Sequence, residues 1–353
     1  MVIETQNIDP SNATELDNFY QIGQTIRDDQ KTTELKWSEE KNILSFIDEF
    51  DVTIKLFSAK SGSDLGRLAA FFFNDTPTQG IIGWFECHDN SALNHILFEE
   101  AFTWFKSTNC KSITGPINGC TWNNYRFNKS SEQPLFPSDP YQPFYYLKLW
   151  NQVGFSDSIN YITEVPPKDF IQPMTFELVS HMLHEHGLKI ENLSTLPGDK
   201  MKLKLYDFYN LSFSQNPLFR QITKEHYLSL FAKSSIILNG EHSFIVLDPK
   251  DNPICIFLCY NDIYHQHYLK NSLTSDDYKT NKLFIKTIAT HPDWRNKQLG
   301  TLVINLIHNL AYKDGFDEVI HALMYSDNVS AKKGREKFKT KIIREYCLMS
   351  KEL

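Results

Sequence analysis

Apolar residues recur along this chain with two periods, and the switches between them mark its elements. In the first half, VTIKLFSA (52–59), LGRLAAFFF (65–73) and GIIGWFEC (80–87) are short apolar or alternating runs, the pattern of strands. NHILFEEAFTWFKSTNC (94–110) then places Leu97, Ala101, Trp104 and Phe105 on one helical face. KSITGPI (111–117) returns to a strand. In the second half LYDFYNLSFS and KEHYLSLFAK read as helices, and HSFIVLD and PICIFLCY as strands joined by PKDN. LFIKTIAT (283–290) is the next strand, a helix follows from Leu299, and EVIHALMY (318–325) is a strand after it. Each passage therefore reads β-β-β-α-β, and a duplicated α/β chain is the economical interpretation. The seam is expected between Pro166 and Asp199, which enclose PPKDF, an amphipathic helix near FELVSHMLHEHG and the loop NLSTLPGD. A boundary near residue 190 divides the chain into 1–190 and 191–353.

The chain's 353 residues, 41% of them hydrophobic, agree with two domains. A formal charge of −7 without long like-charge blocks gives no global attraction for nucleic acid or anionic membranes, so neither is an expected partner. The six cysteines lack CxxC spacing and read as reduced thiols of a cytoplasmic protein. The N-terminal segment has no basic and apolar leader pattern, and no apolar run approaches the length of a membrane span.

The segment HPDWRNKQLGTLVINLI (291–307) carries the most chemistry. It is polar up to Gln298, and then Leu299, Leu302, Val303, Leu306, Ile307 and Leu310 recur at helical spacing. The charged turn therefore sits at a helix N-terminus, where unpaired N–H groups and partial positive charge favour an anion. Arg295 and Lys297 add full charges, and Gly300 allows close approach. The sequence has neither GxxxxGK[ST] nor a GxGxxG after a strand, so the familiar nucleotide and dinucleotide loops are excluded.

TIATHPDWRNKQLGTLVINLI resembles the cofactor-binding motif of the GNAT superfamily of acyl-CoA N-acyltransferases, [RQ]-x-x-G-x-[GA] after a strand. Arg295 and Gly300 hold its first and last positions, and Gln298 replaces the middle glycine. ALMYSDNVSAKKGREKF resembles the family's next motif, with Asn328, Ala331 and Lys337 in register. Arg335 stands where the tyrosine acid would be, and Lys339 and Thr340 replace a Gly-Phe pair. In the first half YYLKLWNQVGF keeps the family's terminal motif, whereas the turn HDNSALNH has no glycine or fixed cation, and its Asp89 would repel phosphate. The likeness, which is to a tandem GNAT family, covers nearly the whole chain. It implies an α/β fold of two tandem GNAT-like domains, each a mixed, mostly antiparallel twisted sheet flanked by helices, the first degenerate and the second holding the cofactor.

The resemblance further implies that pantetheine extends against the backbone of Ile288, Ala289 and Thr290, and that Arg295, Asn296, Lys297, Gln298, Leu299, Gly300 and Thr301 surround the phosphates, with Asn328 nearby. Thr290 N–H is a candidate to polarise the thioester carbonyl, Tyr325 and Tyr346 are candidate acids, and His291, His265 or His267 a candidate base; deprotonation through water needs none of them. HQH (265–267) marks no metal site, and none is expected. GPINGCTWNNYRFN reads as an ordered loop whose Asn118, Trp122, Asn123, Tyr125 and Arg126 either line an acceptor pocket or brace the fold. Cys120 reads as an inert thiol.

The expected activity is transfer of an acyl group, acetyl first, from acyl-CoA to a small amine or amino-acid-like metabolite, by a monomer or homodimer. Two alternatives stay open: a catalytically silent CoA- or metabolite-binding module, and a Fem-like transferase using aminoacyl-tRNA, which the net charge disfavours.

Overall fold

A computed structural model describes residues 2–30, 41–130, 134–194 and 198–353. The chain forms two compact units, each discontinuous in sequence: Met1–Gln133 with Pro140–Asn160 and Tyr346–Leu353, and Pro134–Asp139 with Tyr161–Glu345. The expected boundary near residue 190 is displaced. Helix-forming FELVSHMLHEHG and the strand after it pack in the second unit, and the division falls at Asn160/Tyr161. Residues 195–197 of the expected seam loop lie outside the described residues.

The first unit opens with β1 (Glu4–Ile8), α1 (Ala13–Gln30) and α2 (Ile43–Glu49), of which β1 and α2 carry too short a pattern to be read in advance. The expected run follows: β2 (Val52–Ser61), β3 (Asp64–Phe73), β4 (Gln79–Cys87), α3 (Ser91–Ser107) and β5 (Ser112–Gly115). A two-residue β6 (Phe127–Asn128), α4 (Tyr145–Gln152) and β7 (Ser156–Val165) complete this stretch, β7 crossing into the second unit at Tyr161. There α5 (Phe176–His184), β8 (Lys189–Asn192), α6 (Asp199–Phe213), α7 (Lys224–Ser234), β9 (Phe244–Leu247) and β10 (Pro253–Asn261) precede α8 (Ile263–Leu269) and β11 (Lys282–Thr290). The chain ends with α9 (Leu299–Lys313), β12 (Glu318–Tyr325), α10 (Val329–Phe338) and β13 (Lys341–Glu352).

The strands of each unit follow one logic. In the first unit the order is β1-β2-β3-β4-β5-β13, antiparallel except for β4 beside β5. In the second it is β8-β9-β10-β11-β12-β7, antiparallel except for β11 beside β12. A parallel pair cannot be joined by a hairpin, so α3 and α9 are the crossovers the topology requires. Each covers its sheet with its apolar face: Leu97, Ala101 and Phe105 of α3, and Val303, Leu306 and Ile307 of α9, are fully buried. Trp104, expected on the buried face, sits at its margin and stacks on Phe72 at 5.7 Å. Among the described residues no helix is long and apolar enough to cross a membrane, and all six cysteines are free and buried.

Both parallel ladders are short, and in the first unit the space beyond the ladder is filled by the chain itself. The β4–β5 pairing stops at Ile81↔Thr114. From there Ile117 N–H donates to Ile82 O at 2.9 Å, Trp84 N–H to Asn118 Oδ1 at 2.7 Å, and Cys87 N–H to the Tyr146 hydroxyl at 3.1 Å. Gly83 permits this contact: a Cβ there would lie 1.9 Å from Ile117 O. Gly83→Ala is therefore expected to destabilise the protein by about 1–3 kcal/mol through overpacking, whereas Gly300→Ala, whose Cβ meets nothing within 4 Å, should not. Denaturant unfolding of the two variants checks this, and equal midpoints would show that the close approach is not required.

Candidate functional site

In the second unit the corresponding space is framed rather than filled. β11 keeps antiparallel pairing with β10 as far as Cys255↔Thr290, but its parallel ladder with β12 runs only from Lys282↔Glu318 to Ile285↔His321. β12 then turns to β7, pairing Met324↔Ile162 and Tyr325↔Tyr161 after a register shift at which Leu323 takes a positive φ of 57°. A second shift, between Leu258 and Cys259, bends β10 on the other side. The strands thus part after Ile285, and the backbone of Ile288, Ala289 and Thr290 lies along β11's edge beyond the last rung.

The turn after β11 is built by local bonds. His291 Nδ1 accepts from Asp293 N–H at 3.3 Å and starts a 3₁₀ turn over Pro292–Trp294. Arg295 donates to Ser212 O of α6 at 3.0 Å and to Thr290 O at 3.4 Å, anchoring the turn to two neighbours. Lys297 Nζ stands 4.1 Å from the Trp294 ring centre. Asn296 and Gln298 both take left-handed backbone, φ 64° and 62°. Gln298 therefore follows the path a glycine would take, at a cost of about 1 kcal/mol for a residue with a Cβ.

α9 starts at Leu299 with no side-chain cap and no acid in its first turn, and its first backbone bond is Leu302 N–H to Gln298 O at 3.1 Å. The N–H groups of Leu299, Gly300 and Thr301 thus belong to the set a helix cannot satisfy internally. Space is open where a Gly300 side chain would be. The first unit's helix is the reverse case. Asn90 Oδ1 accepts from Leu93 N–H at 3.0 Å while its amide donates to Asp64, and His88 Nδ1 accepts from Leu65 N–H at 2.9 Å. That terminus is closed by its own side chains, with Asp89 beside it.

The remaining candidates sort unevenly. Asn328 caps α10, its Oδ1 accepting from Ala331 N–H at 3.3 Å. Tyr325 ends β12, partly exposed, its ring 5.8 Å from that of Tyr161. Tyr346 is corrected: it has no accessible surface and pairs with Asn128 in the first unit, while the turn is in the second. A hydroxyl so enclosed cannot meet an incoming group without opening its strand. Arg335 pairs with Glu164 at 3.3 Å and donates to Ser326 O. Burial raises the Glu164 carboxyl above its ordinary value, an effect Arg335 opposes.

The loop of the first unit uses its polar groups internally. Asn118 accepts from Trp84, Asn123 donates to Asn118 O at 3.2 Å, and buried Arg126 lies 3.8 Å over the Tyr125 ring; Trp122 is partly buried beside them. These contacts brace the space beyond the β4–β5 ladder. Burial pushes the Cys120 thiol up to about 12, as an inert thiol requires. The polar segment 260–281 around HQH contains α8, which Asp262 caps, and His265 Nδ1 lies 2.8 Å from Tyr278 O. His267 is exposed on α8. Among the described residues no cluster of metal-binding side chains occurs.

One buried pair was not singled out from the sequence. His308 of α9 and His321 of β12 meet Nε2 to Nε2 at 3.0 Å, with His308 Nδ1 3.3 Å from the Tyr312 hydroxyl. A histidine inside VIHAL and another among the apolar positions of α9 were the available signals. His321 forms the last rung of the β11–β12 ladder and lies in register with Glu164 on its other side. Burial holds both imidazoles neutral, His321 down to about 4 and His308 well below its ordinary value, where His321 adds to the effect.

No family model matches the sequence, and no curated protein does. Solved structures match the whole chain. A tandem GNAT protein from the clavulanic acid biosynthesis pathway is 10% identical with a TM-score of 0.52, over 99% of this chain and 98% of that one. A conserved Enterococcus faecalis V583 protein, considered a probable N-acyltransferase, is 7% identical with a TM-score of 0.52, over 100% and 73%. The chain has the tandem GNAT fold.

The histidine pair makes stability depend on pH. Because the folded pKa values lie below the unfolded one near 6.5, the neutral pair's contribution is complete above that pH and is lost as pH falls toward about 4. The variant His308→Leu/His321→Leu should show a shallower loss over this window in denaturant titrations at successive pH values. An unchanged slope would remove the pair from the account.

Proposed function

We propose that the protein is an acyl-CoA-dependent N-acyltransferase, with acetyl-CoA as the first donor to test, acting on a small amine or amino-acid-like metabolite through its second unit. One observation carries the reading: an uncapped helix terminus beside a strand edge released from its parallel neighbour. The residues fit the donor. Ile288, Ala289 and Thr290 offer main-chain groups of the kind that pair with an extended amide chain. Leu299, Gly300 and Thr301 N–H groups face an anion's natural position, the open side of Gly300 leaves room for it, and Arg295, Asn296, Lys297 and Gln298 surround the turn.

When bound, acyl-CoA supplies an acyl group already activated as a thioester. This chain's part is to hold and orient it, to polarise the carbonyl by main-chain N–H near Thr290, and to return a proton to the departing sulfur, for which Tyr325 is the remaining tyrosine candidate. Asn328, which caps α10, stays a candidate contact of the donor. The second reading is a CoA-binding module without turnover, favoured by Arg335, which stands paired with Glu164 where the family's acid is expected. A Fem-like reaction with aminoacyl-tRNA finds no support in the charge of −7.

Calorimetry with acetyl-CoA and CoA tests the proposal. Wild type should bind both, and Gly300→Asp should weaken binding by about tenfold or more by placing negative charge at the helix terminus. The same change should leave the melting temperature unaltered or raised, since the site has room and an acid suits a first helical turn. Absence of binding by wild type would end the acyl-CoA reading. Binding followed by turnover on an amine panel separates the enzyme from the silent module.

A further inference from the structure

α10 brings a second set of positive charges to the α9 turn. Lys333 and Lys337 are four residues apart and so share one face of that helix, and both are exposed. Lys333 Nζ donates to Asn296 Oδ1 at 3.1 Å, which sets this face beside the turn. The neighbouring cations are otherwise engaged, Lys332 with Asp327 at 2.8 Å and Arg335 with Glu164 at 3.3 Å. Among the described residues, no carboxylate forms an ion pair with Lys333 or Lys337. Lys333 instead holds a neutral amide oxygen, a weaker partner than a phosphate oxygen.

On the acyl-CoA reading the pyrophosphate belongs to the α9 terminus, beside Arg295 and Lys297. CoA carries one more anion, the phosphate monoester on its ribose, which dephospho-CoA lacks and which a phosphopantetheine arm on a carrier protein also lacks. We propose that Lys333 and Lys337 seat this ribose phosphate and thereby select free acyl-CoA as the donor class over acyl groups borne on phosphopantetheine. The inference rests on the acyl-CoA reading and adds to it the residues that choose between donors. On binding, the Lys333 ammonium exchanges Asn296 Oδ1 for a phosphate oxygen, and Lys337 approaches from the next turn of the helix. Exposed ammonium groups act through a screened interaction, so the preference is moderate and falls with salt.

The test is calorimetry on the full chain with CoA, dephospho-CoA and 4′-phosphopantetheine, at low and high ionic strength. Wild type should prefer CoA to dephospho-CoA by about tenfold at low salt and by less at high salt. Lys333→Ala/Lys337→Ala should bind CoA as weakly as wild type binds dephospho-CoA, with its dephospho-CoA affinity unchanged. Lys333→Arg/Lys337→Arg should keep the preference. Equal wild-type affinity for CoA and dephospho-CoA overturns this inference and leaves the acyl-CoA reading standing. A double-alanine variant that loses both ligands in equal measure also overturns it, since the lysines would then serve the turn itself. If none of the three molecules binds wild type, both readings fall.

Discussion

A parallel ladder of four rungs, ending at Ile285↔His321, is the constraint on which the second unit depends. Parallel strands demand a crossover helix, and α9 fulfils that demand while its N-terminus returns to the end of β11. Because the ladder stops early, β11 beyond Ile285 has no parallel rung with β12, and the α9 terminus has no side-chain cap. Two kinds of main-chain incompleteness thus coincide, and the proposed function takes the coincidence as a place for a ligand that is extended at one end and anionic at the other.

The first unit has the same ladder, helix and order of strands, and solves the same problem without a ligand. Asn90 closes the helix terminus, and Ile117, Asn118 and Tyr146 take the main-chain groups of β4. Gly83 is the residue that makes the substitution sterically possible. The difference between the halves is thus one of who supplies the partners, and it is written in a few side chains rather than in the fold.

Much of this was legible in the sequence. The two β-β-β-α-β passages, the helix starting after Gln298 and the contrast between the two turns follow from period, charge and glycine placement, since these act locally. What was not legible depends on contacts distant in sequence. Tyr346 looked like a cleft residue because β13 was expected to serve the half that contains it, yet its second part completes the first unit. The seam was misplaced for the same reason, as β7 passes from one unit to the other along a single strand. GPINGCTWNNYRFN announced itself as ordered, but only the bond from Trp84 to Asn118 reveals that its order is a brace. The His308–His321 meeting joins a helix and a strand that periodicity can describe singly and cannot dock.

The self-filled space beside Gly83 has a thermodynamic corollary. A ligand stabilises whatever folded state it binds by an amount that grows with the logarithm of one plus its concentration over Kd, and contributes nothing to a part that does not bind it. The first unit carries its partners covalently, at an effective concentration no solute can match. Its stability is therefore a fixed property of the sequence, whereas that of the second unit, if it binds acyl-CoA as proposed, becomes a variable set by ligand concentration. One chain would then report on its surroundings through half of its structure and ignore them through the other.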